Sequence, residues 1–180
     1  MVDAVAAFVA WLGASVVVLA DGRRGLALGA AIGAAGLAVL ALDIAGPVAA
    51  GSLALGGLVA AAGRFRSGRA GWHVMPAGST PRLVLCIAAA LLALWIAAGL
   101  TTGPDAPLRF AAMVVIGLSA ARVLGADEAP ILLTATGLLA LVIALAAGLD
   151  QTASAPWPFL AAAIIAGGVG WISPRTVSAA

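Results

Sequence analysis

The run LALGAAIGAAGLAVLALDIAGPVAAGSLALGGLVAAAG, residues 26–63, decides the fold. It holds thirty-eight residues and one charged side chain, Asp43, near its middle. A single helix of that length would be about 57 Å long, nearly twice the ~30 Å hydrocarbon core of a bilayer. The run must therefore fold back on itself. The place is Asp43-Ile44-Ala45-Gly46-Pro47, where a Gly tolerates unusual dihedrals and a Pro suits a first helical turn. The reading is two helices joined by a very tight turn.

The same grammar extends outward. Apolar residues make up 64% of the 180 and charged residues 9%, so the chain falls in the membrane class rather than among soluble domains. There is no Lys, Asn or Tyr, and Gln151, His73 and Cys86 are each alone of their kind. The nine Arg exceed the acids by only two, and no soluble module is left to carry a nucleic-acid-binding face. One Cys excludes an internal disulfide. Val18-Leu19-Ala20 looks like a signal-peptide cleavage site, but Asp3 precedes the apolar run and Arg23-Arg24 follow it, the reverse of a secretory signal. The first helix is expected to be retained, with the N-terminus outside.

The pattern predicts an all-α, polytopic transmembrane bundle forming one domain over 1–180. Seven helices are expected, at about 4–20, 26–42, 47–63, 83–100, 108–125, 131–149 and 157–173. With the N-terminus outside and the C-terminus inside, the cytoplasmic segments hold Arg23, Arg24, Arg64, Arg66, Arg69, Arg82, Arg122 and Arg175, and the outer ones only Arg109. This is the asymmetry of an integral protein of a bacterial or archaeal cytoplasmic membrane. Arg64, Arg66, Arg69 and Arg82 read as cytoplasmic anchors or lipid-headgroup contacts, and Arg122 as a snorkelling side chain.

A shift of 84 residues lays the chain on itself without gaps. Trp11 falls on Trp95, Asp21 on Asp105, Ile32-Gly33 on Ile116-Gly117, and Asp43 on Asp127. Units 4–63 and 88–147 each hold three helices, an odd number, so the copies would be inverted, with the last helix an addition. Asp43, Asp127 and Glu128 are then candidate pathway or turn carboxylates. Gly29, Gly33 and Gly36, and in the second unit Gly117, Ala121 and Gly125, are candidate helix-packing positions. Trp11 and Trp95 read as packing residues, and Trp157 and Trp171 as interfacial anchors.

The three-plus-three-plus-one plan is similar to that of trimeric intracellular cation channels, whose triple-glycine kinks and functional lysines have no counterpart here. The first three helices, with Arg23-Arg24 after the first span, resemble the three-helix K-type subunit of complex I and the related Mrp antiporters. That family's membrane-embedded glutamates are missing, and no functional residue is carried over from either family.

No Lys means no retinal Schiff base, and no Asn means no Asn-Pro-Ala pair of the aquaporin kind. No helix interior carries an acid or His relay, and no catalytic, cofactor-binding or metal-binding set can be assembled. The expectation is a non-enzymatic, cofactor-free membrane protein that contacts lipid and other membrane subunits but no nucleic acid. It reads best as a helix-packing subunit of a larger complex. The alternative is a small transporter or channel working through its inverted repeat.

Overall fold

The computed structural model describes residues 1–67, 70–73, 75, 79–99, 105–149 and 156–172. Every regular element among them is helical: α1 (Val2–Leu19), α2 (Arg23–Arg66), α3 (Thr80–Gly99), α4 (Ala106–Leu124), α5 (Ala129–Ala147) and α6 (Trp157–Trp171). The count is therefore six where the sequence predicts seven. Helical structure continues from Arg23 to Arg66 with one interruption, at Gly46, whose φ of 80° and ψ of −177° lie outside the helical region.

That single residue turns the chain. A methyl group on Gly57 would collide with Cβ of Ala34, so the two arms of α2 lie against each other, and positions 34 and 57 are nearly symmetric about Gly46. The expected second and third helices are thus the arms of one element with no loop between them. Pro47 follows the break, where its missing N–H costs no interior hydrogen bond. No atom lies within 4 Å of a Cβ placed on Gly46, so only backbone conformation restricts that site. Gly46→Ala is expected to destabilise the protein by ~1–3 kcal/mol, the cost of forcing an L-residue into a glycine region. Unfolding in detergent by SDS titration measures it, and an unchanged midpoint would show that the turn tolerates other geometries.

Packing around this hairpin is at backbone distance. A Cβ at Gly13 of α1 would strike the backbone of Gly33, and one at Gly36 of α2 would lie 2.5 Å from the backbone N of Ala10 in α1. Gly29 faces Gly13 and Val17, and Gly33 itself looks toward Leu138 of α5 at 3.1 Å. The second arm packs on α6 in the same way: a Cβ at Gly56 would lie 2.6 Å from Ala163 Cα, and one at Gly170 would lie 2.5 Å from Ala60 Cα. In lipid there is no hydrophobic drive between helices, and such close approach supplies dispersion contacts instead. In α4 the pattern is not used. Gly117 has no neighbour within 4 Å and Gly125 meets only Ala121 of its own helix. That face is turned outward, so its small-residue spacing brings no other helix close.

The core of small and branched side chains, among them Leu26, Leu37, Leu53, Leu118, Leu141 and Leu145, lies between α1, α2, α4, α5 and α6. α3 sits at the rim, against α4 and α1. Among the described residues, five helices are long and apolar enough to cross a membrane. α6 is shorter, at 15 residues or about 22 Å, with exposed Trp157 and Trp171 at its two ends. Large apolar side chains such as Leu91, Leu92, Trp95 and Ile164 are more than half exposed, a surface that in water would be an aggregation liability. Trp95, expected to pack, is 69% exposed near the C-terminal end of α3, whereas Trp11 is partly buried and donates from Nε1 to the carbonyl of Cys86 at 3.3 Å. The two tryptophans matched by the 84-residue shift therefore stand in unlike surroundings.

Candidate functional site: the arginine-rich end

One end of the bundle collects the turn after α1, the end of α2, residues 71–73 and 75, the last turn of α4 and the end of α6. α1 closes at Ala20 in an extended conformation, which leaves the Ala20 carbonyl free of the helix and places Asp21 in the turn. Residues 71–73 and 75 lie over this turn. Asp21 N donates to His73 O at 3.1 Å, Arg24 N to Gly71 O at 3.3 Å, and Met75 N to Leu19 O at 3.1 Å. Gly71, at φ 105°, and the left-handed His73 and Met75 bend the segment into place. Gly22 has room for no side chain beneath it, since a Cβ would lie 2.5 Å from the Gly71 carbonyl.

Two arginines converge on Asp21. Arg82, in the first turn of α3, donates from Nη1 to Oδ1 at 3.0 Å and Oδ2 at 3.2 Å. Arg122, in the last turn of α4, donates from Nη2 to Asp21 Oδ1 and to the Ala20 carbonyl, the latter at 3.1 Å. Its side chain is only 4% exposed. A third arginine acts on α6. Arg64, 1% exposed, donates from Nη2 to the carbonyls of Val169 at 2.8 Å and Gly170 at 2.7 Å, with Ile172 at 3.5 Å. These belong to the last turn of α6, where helix carbonyls lack internal partners and the helix dipole favours a cation. Arg66, exposed, stacks over the Trp171 ring with Cζ 4.8 Å from its centroid.

The arginines expected to be anchors or headgroup contacts thus divide. Arg64 and Arg122 are engaged inside the protein, and Arg82, 37% exposed, pairs with Asp21 at its edge. Each lies beside an acceptor supplied by another helix end, and for the two buried ones the pairing is what makes burial of the charge tolerable. Arg66 remains at the surface. Arg69 and Arg175 fall outside the described residues. Asp21, singled out in the sequence only as a repeat match, is the acceptor that joins α1, α3 and α4. The signal available for it was its place next to the only polar turn between the first two helices, with no lysine anywhere to answer it.

The candidate carboxylates are not brought together. Asp43 is exposed beside the Gly46 break and makes no hydrogen bond or ion pair among the described residues. Asp127 is exposed in the turn between α4 and α5, and Glu128, half-buried, begins α5. The Gly46 turn belongs to the opposite end, where Gly148 lies against Ile44 and Phe159. There Arg109 pairs with Asp105 at 3.5 Å within one helical turn, so Asp21 and Asp105, matched by the 84-residue shift, have different roles. Among the described residues no group of three His, Cys, Asp or Glu is placed to hold a metal ion.

The architecture is an all-helical bundle with several helices long and apolar enough to span a membrane, fastened at one end by buried arginines. No protein-family model, curated protein or solved structure matches the chain.

Proposed function

We propose that the chain is an integral membrane protein that serves as a non-catalytic, helix-packing subunit of a larger membrane complex. The observation that carries this reading is the use made of polar groups. Arg64, Arg82, Arg122 and Asp21 are spent on joining helix ends, while the interior between them is closed by Ala, Gly, Leu and Val contacts. A bundle built this way offers its partners outward apolar faces, of which the rim helix α3 has the largest share. The arginine-rich end faces the cytoplasm, by the positive-inside rule, in a bacterial or archaeal membrane. Extraction in a mild detergent followed by size analysis is expected to find the chain with other polypeptides. A stable lone monomer would overturn the subunit reading, and a reporter fused after Arg175 that proved to be extracytoplasmic would overturn the orientation.

The second reading, a small carrier or channel, is favoured by one observation: Asp43 and Asp127, equivalent in the 84-residue shift, are both exposed and stand at opposite ends. It predicts flux across vesicles that contain this protein alone, diminished by Asp43→Ala or Asp127→Ala. Vesicles without flux would end it.

A further inference from the structure

A groove of about 250 Å³ runs between the second arm of α2 and α6. Its walls are Leu55 and Val59 on one side and Leu160 and Ile164 on the other, all well exposed, and its floor is the contact of Gly56 with Ala163. A Cβ on Gly56 would lie 2.6 Å from Ala163 Cα, so the floor is backbone against backbone and the groove is as deep as two helices allow. Both walls continue along the same helix faces. Seven residues, two turns, carry Val59 to Arg66, and seven carry Ile164 to Trp171, and there the two helices meet again in the Arg66–Trp171 stack. Leu55 lies eleven residues from Arg66, about 16 Å along the helix, which matches the ~15 Å depth of one leaflet.

We propose that this groove is a binding site for one anionic phospholipid, with an acyl chain between α2 and α6 and the phosphate on Arg66. Charge decides the headgroup. Arg64, Arg82 and Arg122 are already engaged with protein acceptors, whereas the Arg66 guanidinium meets the Trp171 face and no carboxylate among the described residues. The Arg66 side chain is exposed, and a guanidinium carries the fork of N–H donors that matches a phosphate. The apolar groove below accepts a chain, and its cationic mouth favours a head of net negative charge over a zwitterionic one.

The site rests on the membrane reading, and the two are tested apart. The chain should stay in carbonate-washed membranes; release by the wash would overturn the membrane reading itself. Native mass spectrometry of the purified protein, titrated with phosphatidylglycerol or phosphatidylcholine, then tests the site. Wild type is expected to retain one phosphatidylglycerol in preference to phosphatidylcholine. Arg66→Gln should lower that preference about fivefold, the effect of one surface charge on an anionic lipid. Arg24→Gln, an exposed arginine at the same end but away from the groove, should leave it unchanged. Equal retention of the two lipids by wild type, an unaltered preference in Arg66→Gln, or an equal loss in Arg24→Gln would each overturn the proposal.

Discussion

Asp21→Ala is expected to cost the folded protein on the order of 3–5 kcal/mol, the range for breaking a buried ion pair by removing one partner. The reason is Arg122. Its side chain is almost wholly enclosed, its Nε already lacks a hydrogen-bond partner among the described residues, and without Asp21 only the Ala20 carbonyl answers its charge. Arg82 is half-exposed and can turn to water, so it adds little to the loss. Asp21→Asn, which keeps an acceptor of the same shape, should fall between wild type and Asp21→Ala. Adding Arg122→Met to Asp21→Ala removes the stranded cation and is expected to restore much of the stability. SDS-titrated unfolding in mixed micelles measures all three. If Asp21→Ala moved the midpoint no more than a typical surface substitution does, the cluster would not be holding the helix ends together.

The second large effect is expected at the hairpin. Gly57→Leu places a branched side chain where even a methyl group collides with Ala34, and it should destabilise the protein by more than about 3 kcal/mol or prevent folding. Gly51, on the same arm of α2, has nothing within 4 Å of its missing Cβ, so Gly51→Leu should be mild and controls for helix propensity. Equal stability of the two variants would mean that the arms of α2 do not lie side by side at this position.

Much of the fold was legible because its main determinant is length measured against a bilayer. A 38-residue apolar run has to double back, and the Gly-Pro pair marked the place. What the pattern did not show is how little chain the reversal takes: one residue at positive φ, so that two expected helices form one interrupted element. Small-residue spacing located Gly29 and Gly36 on a contact face but also marked Gly117, which faces away from the bundle. Spacing records which residues share a face and is silent on what that face meets. The seam of Gly56, Ala60 and Gly63 with Ala163, Gly167 and Gly170 carries the same spacing, and in a chain with 23 glycines it did not stand out. Arg64, Arg82 and Arg122 stand in surroundings other than those expected, for a related reason. Their side of the bundle follows from sequence, but whether a guanidinium reaches lipid or a neighbouring helix end depends on which helices are adjacent, a tertiary property. Asp21 escaped notice because its partners are 61 and 101 residues away.

Arg64 also links two parts of the chain that are made far apart in time. It is synthesised at the end of the α2 hairpin, yet its carbonyl partners come with α6, more than a hundred residues later. Until α6 is made, the guanidinium lacks those acceptors; once it is made, the same group becomes a latch between the two helix ends. A chain ending before α6 is therefore expected to fold its hairpin without this latch.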